Sequence, residues 1–462
     1  MRLCIVGAGR VGLVTGAVLA DLGNEVTCLD SDPAKTASLQ AGRTPIYEPG
    51  LQEIITRNLG ERRIAFTTSY AQAIPPAEVI FICVDTPSGP GGSADLSRVE
   101  AAARSIAGHL QDQQVVANKS TVPVGAGAFV RQVLERNCRP GISFEVISNP
   151  EFLREGCAVA DSMRPDRILI GCRDRAAAIK LIELYRPLGR PILITDVSSA
   201  ELIKHACNSF LATKISFINC IADLCERAGA DIAQVTMGMG ADPRIGAEFL
   251  RPGLGYGGSC FPKDTEALVA IASALGCDFH LLKSAIAVNR ERVPRFVARM
   301  EQALGELSGK TIAVLGLSFK PNTDDIREAK AVELIRALCA KGAEIRAYDP
   351  AAMDNARQIL PDIVYCGGAY EAAGGADALV IATEWDEFKA LDLLRMRALL
   401  KRRLVFDGRD IYAPERMAEL GFEYVSIGRT SRAKRAAARA HQALAARISS
   451  QRQLSPEVST PG

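Results

Sequence analysis

The chain is poor in the residues that build metal sites and has none of the long apolar runs that cross membranes. Only four histidines occur in 462 residues, and no two of the thirteen cysteines form a CxxC pair. A structural zinc site is therefore not expected, and no metal is assigned. No stretch approaches the roughly 18 to 20 uninterrupted apolar residues of a membrane span, and the N-terminus runs straight into a strand-like segment with no signal-peptide layout. The expectation is a cytoplasmic protein. The cysteines (Cys4, Cys28, Cys83 and Cys220 among them) are scattered through apolar segments rather than framing short loops. That is the pattern of buried thiols in a reducing compartment, not of a disulfide framework.

What is present is the composition of a large globular chain, 48% hydrophobic and 23% charged, long enough for two or three domains. Charge is unevenly spread. Residues 429–462 carry seven basic side chains against Glu457, so the net +2 divides into +6 for this tail and −4 for residues 1–428. The Arg spacing of the tail defines no apolar face, which predicts a frayed helix followed by disorder rather than an anchor on an anionic surface.

The opening "MRLCIVGAGRVGLVTGAVLADLGNEVTCLDSD" reads as strand, glycine turn, helix ended by Gly23, and second strand closing on Asp30. Further strand-like runs at 78–84, 114–120, 144–149 and 167–171 alternate with helical patterns, which predicts a parallel, doubly wound sheet. At Ser198 the pattern changes to a proline-free helix that opens with the capping box Ser198-x-x-Glu201 and closes on Gly229. Its length suits a connection between domains or packing against a copy of itself. After Gly309 the strand–helix alternation resumes, with a helix over 328–341, but the first turn, Gly316-Leu-Ser-Phe-Lys320, lacks the three-glycine pattern. The fold class is thus α/β, with two Rossmann-like doubly wound domains joined by a long central helix and a helical dimerisation region. The expected domains are 1–197, 198–300 and 301–428, with the tail at 429–462.

Three motifs carry chemistry. Gly7-x-Gly9-x-x-Gly12 follows a strand, opens a helix and precedes Asp30 at the end of the next strand. In that setting the glycines admit a pyrophosphate and the acid binds ribose hydroxyls, favouring NAD over NADP; the alternative is a turn used only for packing. Lys204 and Asn208, four apart on the long helix, share a face that would suit an oxyanion, or are simply solvated. In "GYGGSCFPKD" (255–264), Gly257 and Gly258 permit close approach of a ligand, and Pro262 fits the first turn of a helix running to Gly276. Cys260 lies just before that helix beside Lys263, where dipole and cation both favour a thiolate, with Asp264 within about one turn. A buried structural cysteine is the alternative.

The ordered set "VGAGRVG", "VDTPSGPGGSADLS", "KSTVPVG", "SNPEFLREG", "PDRILIG", "GYGGSCFPKD" and "FKPNTDDIREA", spanning about residues 1–428, resembles the nucleotide-sugar 6-dehydrogenase family. The resemblance implies an N-terminal NAD-binding domain, a central helical dimer region and a C-terminal domain for the nucleotide diphosphate. It further implies a four-electron, NAD-dependent oxidation of a sugar primary alcohol to a carboxylate, with UDP-glucose the favoured substrate over GDP-mannose or a UDP-N-acetyl sugar. A catalytically silent nucleotide-binding scaffold is the reading from another class. Carried onto matching positions, Cys260 is the nucleophile, Lys204 and Asn208 stabilise oxyanions, Asp264 assists water and proton transfers, and Glu151 is acid/base in thioester hydrolysis. Thr121 serves catalysis and the cofactor. Gly7, Gly9, Gly12, Asp30, Lys35, Thr86, Glu155, Lys263 and Arg327 contact NAD. Phe152, Leu153, Arg244 (reaching a neighbouring subunit), Phe249, Tyr256, Gly257, Lys320 and Arg409 join Glu151, Lys204 and Asn208 on the substrate. The chain departs from the usual pattern at Arg164 and in its basic tail.

Overall fold

The computed structural model describes residues 1–429; the expectations for the tail beyond Arg429 lie outside the described residues. The chain forms two units. The first comprises Met1–Phe210, Ser259–Lys283 and Asn322–Asp324, and the second Leu211–Gly258, Ser284–Pro321 and the chain from Asp325.

The first unit is built on β1 (Arg2–Val6), β2 (Glu25–Leu29), β3 (Ile64–Thr67), β4 (Val79–Ile82), β5 (Gln114–Asn118), β6 (Phe144–Ser148), β7 (Ile168–Gly171) and β8 (Ile192–Thr195). They lie in the order β3-β2-β1-β4-β5-β6-β7-β8. Strands β4 and β5 are buried along their whole length, as expected where helices cover both faces of a parallel sheet. Leu13, Val14, Ala17 and Val18 of the first helix, Arg10–Asp21, pack on Leu3 and Ile5. On the other face Val99, Ala103, Val130 and Leu134 pack on Cys4, Val6 and Ile80. Strand order reverses between β1 and β4, so the crevice for a ligand opens at their carboxyl ends.

Two strands depart from the parallel pattern predicted: β7 meets β6 antiparallel, at Ser148 and Gly171 alone, and β8, parallel to β7, runs against the others with it. The connection spends residues 149–157 on an irregular segment and then has only the six-residue helix Ala158–Met163. A helix of that length advances about 9 Å, against roughly 17 Å for a five-residue strand, so it does not carry the chain back across the sheet.

The second unit is built on β9 (Thr311–Leu315), β10 (Glu344–Tyr348), β11 (Val364–Tyr365), β12 (Ala378–Ile381), β13 (Leu404–Asp407) and β14 (Glu423–Ser426), all parallel, in the order β11-β10-β9-β12-β13-β14. The helix predicted over 328–341 runs Lys330–Cys339.

The long helix spans Val197–Ala228, 32 residues and about 48 Å, and Gly229 closes it at φ +72°. Its start is not the predicted capping box. Asp196 receives the Ser199 backbone N–H at 2.8 Å and the Ser199 hydroxyl at 2.6 Å. Glu201 is buried and receives the Gly125 and Gly127 N–H groups, each at 2.7 Å. It thereby caps the helix Ala126–Asn137, whose own N-cap is a glycine with no side chain to offer.

Candidate active site

The glycine turn after β1 contains two kinds of glycine. Gly7 has φ +102°, and a Cβ there would stand 2.7 Å from the Cys83 carbonyl oxygen; at Gly12 it would stand 1.8 Å from that of Gly7. The fold itself demands both. Gly9 has an ordinary φ of −78°, and its Cβ would meet only Asp85 Oδ1 at 3.9 Å, so the space above it is not used by the protein. Gly9 is the N-cap of the first helix, which has neither a side-chain cap nor an acidic residue in its first turn. The N-terminus of this helix, with no side chain of the protein capping it, therefore suits an anion.

Asp30 receives the Ala8 N–H at 2.8 Å, the Asp32 N–H at 3.0 Å and the Lys35 ammonium at 2.9 Å. Burial works against its charge, but hydrogen bonds from Lys35, Asp32 and Ala8 hold the carboxyl below its usual range. Oδ1 accepts one bond only and keeps acceptor capacity for a ribose hydroxyl. The turn and the acid fit a dinucleotide. Lys35 takes its place here as the ion-pair partner of Asp30.

The polar cluster of the same unit is built from the long helix, the "SNPEFLREG" segment and the helix Phe261–Ala274. Lys204 Nζ is buried and lies 2.9 Å from Glu151 Oε1, while Glu151 Oε2 receives the Leu153 N–H. One turn along, Asn208 Nδ2 donates to Asp264 Oδ2 at 2.6 Å, and Lys263 Nζ reaches Asp264 Oδ1 at 2.8 Å and Thr86 Oγ1 at 3.4 Å. Thr86 donates in turn to the Thr121 carbonyl at 2.7 Å. Burial opposes the charge of Lys204, but Glu151, Cys260 and Asp264 raise its pKa. Burial likewise opposes the charge of Asp264, which Lys263 and Lys204 hold below the usual carboxylate range. A buried cation and amide on one face of a helix can stabilise an oxyanion; the solvated alternative does not describe them. The Phe152 ring lies 5.4 Å from Lys204 Nζ and 3.7 Å from the Arg167 guanidinium.

Cys260 is the N-cap of the helix Phe261–Ala274, with Pro262 in its first turn as predicted. Two expectations about it are corrected. The thiol is not biased to thiolate: burial and then Glu151 push it up to about 11, against the lowering by Lys204, and Asp264 and Glu155 add to the rise. Lys263, expected to be its cation, is engaged by Asp264 and Thr86. The glycines before it are also not simply space for a ligand. A Cβ on Gly257 would stand 2.1 Å from the Glu328 carbonyl oxygen, and one on Gly258, φ +82°, 2.6 Å from the Phe319 ring. The protein's own "FKPNTDDIREA" segment fills that space.

Glu155 receives the Ser259 hydroxyl at 2.8 Å and lies 3.5 Å from Arg10 Nε and from Thr323 Oγ1. The remaining predicted substrate and cofactor residues belong to the second unit. Arg409 Nε donates to the Ala382 carbonyl at 2.8 Å, and its Nη2 reaches the Phe319 carbonyl at 3.4 Å, beside Lys320. Tyr256 donates its N–H to Asn289 Oδ1 at 2.8 Å, Phe249 holds φ +64°, Arg327 pairs with Asp325, and Arg244, 87% exposed at its side chain, pairs with Asp242.

Three residues of the first unit escaped the sequence reading. Lys119 is buried and bonds Asn149 Oδ1 at 3.1 Å. His205 is buried with Nε2 2.9 Å from the Val122 carbonyl. Ser259 links Cys260 to Glu155. Each adjoins a residue that was singled out or sits inside a quoted motif, and that adjacency was the available signal.

A doubly wound sheet whose first turn leaves room over Gly9, an acid after it that retains acceptor capacity and a buried cluster of lysine, amide and carboxylates together fit a dinucleotide-dependent oxidoreductase. Family comparison narrows the class. The NAD binding, central and UDP binding domain models of the UDP-glucose/GDP-mannose dehydrogenase family match residues 1–189, 198–291 and 313–414. The chain belongs to this family, and its cofactor is NAD. It is 47% identical over 430 residues to the UDP-glucose 6-dehydrogenase YwqF of Bacillus subtilis, covering 93% of this chain and 98% of that one. It is 48% identical over 437 residues to a UDP-glucose 6-dehydrogenase of Rhizobium meliloti, covering 93% and 100%. A UDP-glucose dehydrogenase structure from Pyrobaculum islandicum superposes with TM-score 0.86 at 39% identity, covering 93% and 98% of the two chains. A UDP-D-ManNAc dehydrogenase from Pyrococcus horikoshii does so with TM-score 0.82 at 28% identity, covering 93% and 99%.

Proposed function

We propose that the chain oxidises UDP-glucose at C6 to UDP-glucuronate, with two NAD reduced and one water consumed per sugar. One observation carries the reading: Lys204, Asn208, Glu151 and Asp264 are gathered, buried, in the unit that also holds Cys260 and the dinucleotide turn. The choice of sugar is supported by the relatives at 47–48% identity, both named for UDP-glucose, against 28% for the UDP-D-ManNAc dehydrogenase.

NAD, when bound, supplies the hydride acceptor; Gly9, the first helix N-terminus and Asp30 hold it. Lys204 and Asn208 face the oxygen at C6 and stabilise negative charge there. Cys260 adds to the aldehyde, turning a poor hydride donor into a thiohemiacetal, and oxidation of that adduct leaves a thioester. Glu151, poised on Lys204, takes a proton from the hydrolytic water, with Asp264 and Thr121 orienting it. Arg327 lies toward the cofactor, and Lys320, Arg409, Tyr256, Gly257 and Phe249 hold the nucleotide sugar. Residues 1–197 serve the cofactor, 198–300 the helical region and 301–428 the nucleotide diphosphate.

The protein works as a homodimer in the cytoplasm. Support for the dimer comes from the long helix: Phe210, Phe217 and Leu224, each seven residues apart, are 66%, 51% and 59% exposed, a seam of the kind that packs against a copy. Arg244 then reaches the neighbouring subunit. For the compartment, all thirteen cysteines are free, and among the described residues no helix is long and apolar enough to cross a membrane.

The test is purified protein incubated with NAD and a panel of UDP-glucose, GDP-mannose and UDP-N-acetyl sugars, with NADH followed by absorbance. UDP-glucose should give two NADH per uronate and the fastest turnover. A faster sister sugar would replace the substrate, and no NADH with any sugar would remove the activity.

A further inference from the structure

The assigned chemistry leaves one proton without a destination. Cys260 must lose its S–H proton as sulfur bonds to the aldehyde carbon, and burial together with Glu151 pushes that thiol up to about 11. The nearby groups are otherwise committed. Lys204 and Lys263 are donors with no acceptor capacity. Glu151, held by Lys204 and the Leu153 N–H, is assigned to the hydrolytic water, and Asp264 is held by Asn208 and Lys263; neither accepts a hydrogen bond from the Ser259 hydroxyl or the thiol.

We propose that the Ser259 hydroxyl relays the Cys260 proton to Glu155, so that Glu155 is the base for thiol addition. A serine has one O–H. Ser259 spends it on Glu155 Oε1 at 2.8 Å, so in its 3.6 Å contact with Cys260 Sγ the thiol is the donor and Oγ the acceptor. The chain Sγ–H to Oγ–H to carboxylate is already aligned. Arg10 Nε and Thr323 Oγ1, each 3.5 Å from Glu155 Oε2, hold the far oxygen, while Oε1 is the oxygen that receives the Ser259 hydroxyl.

The step balances. Sulfur forms a bond to C6, the carbonyl π pair moves onto oxygen opposite Lys204 and Asn208, the S–H proton passes to Ser259 Oγ, and the serine proton passes to Glu155. The adduct stays an oxyanion, the form from which a hydride leaves most readily. When water later cleaves the thioester, the proton returns from Glu155 through Ser259 to the departing sulfur. This gives Glu155 a role beyond the cofactor contact expected of it. It rests on the thiol chemistry proposed above, and the experiment separates the two.

Ser259→Ala, Ser259→Thr and Glu155→Gln are compared with the unmutated protein in two assays. In the first, without NAD or sugar, iodoacetamide alkylation of Cys260 is followed across pH by peptide mass spectrometry. Ser259→Ala and Glu155→Gln should be slowed about tenfold at pH 8, and Ser259→Thr, which keeps the hydroxyl, by no more than about twofold. In the second, stopped-flow NADH formation with UDP-glucose should give a first equivalent at the normal rate for Ser259→Ala and a second slowed about 10- to 100-fold at pH 7.5. That deficit should shrink as pH rises and hydroxide replaces the relay. Alkylation and second-equivalent kinetics of Ser259→Ala equal to the unmutated protein at every pH would overturn the relay, as would a Ser259→Thr variant as slow as Ser259→Ala. Absence of NADH from the unmutated protein would instead strike the dehydrogenase reading, while the alkylation assay would still decide the relay.

Discussion

The two sheets begin with nearly the same turn and put it to opposite use. After β1, Gly7 at φ +102° donates its N–H to Leu29, and Ala8 donates to Asp30 at the end of β2. After β9, Gly316 at φ +96° donates to Tyr348, and Leu317 donates to Asp349 at the end of β10. The two acids then diverge. Asp30 keeps acceptor capacity beside the open space over Gly9. Asp349 is saturated by the Leu317, Ser318, Ala351 and Ala352 N–H groups, the Ser318 hydroxyl and the Trp385 indole. What marks the dinucleotide end is therefore not the strand–turn–helix itself but the valence left over in its acid.

The sharpest way to break this comparison is to remove each acid. Asp349→Ala removes the acceptor shared by six donors, most of them buried, and should cost about 4 kcal/mol or more of stability, read as a large drop in urea midpoint. Asp30→Ala should cost only about 1 kcal/mol, because Asp32 and Lys35 reach solvent and Ala8 alone of its partners is buried. It should nonetheless weaken NAD binding about tenfold and narrow the preference for NAD over NADP. Equal destabilisation by the two substitutions would end the distinction.

The glycines give a second, smaller contrast. Gly12→Ala sets a Cβ 1.8 Å from a backbone oxygen and should cost about 2–3 kcal/mol of stability along with cofactor binding. Gly9→Ala has room in the protein and should leave thermal stability within about 1 kcal/mol while raising the NADH dissociation constant about tenfold or more, measured by fluorescence titration. A Gly9→Ala variant that binds NADH normally would show that the space is not the pyrophosphate site.

The smallest effect expected is on pH. With its thiol held up to about 11, Cys260 in the folded protein should react with iodoacetamide ever faster from pH 7 to 10 without levelling off. In urea the same cysteine should level off near its ordinary range, about 8.5. A plateau below pH 8 in the folded protein would mean that a thiolate is already present.

Much of this was legible in the chain, because its signals are local. The glycine spacing, Asp30, the strands from 78 to 171 and the helix begun by Pro262 each depend on residues within about one turn or one strand. What was not legible depends on partners far away in sequence. Glu201 resembled half of a capping box until the N-terminus of a helix at 126 claimed it. Gly257 and Gly258 suggested space for a ligand, whereas residues 319 and 328 occupy it. The thiol of Cys260 was assigned its sequence neighbour Lys263, but in the fold it answers to burial and to Glu151, more than a hundred residues earlier. The direction of β7 follows from how much chain the "SNPEFLREG" segment consumes, which no strand propensity records.

The central claim is that the unit holding the dinucleotide turn also performs covalent chemistry through Cys260, and Cys260→Ser tests it most directly. NAD and UDP-glucose binding by the variant would be measured by calorimetry, turnover as NADH counted per uronate, and any adduct by intact-protein mass. Both ligands should bind with little change, and turnover should fall by about three orders of magnitude or more, because a hydroxyl does not ionise near neutral pH. Normal turnover at two NADH per uronate would contradict the account: the oxidation would then proceed without the thiol.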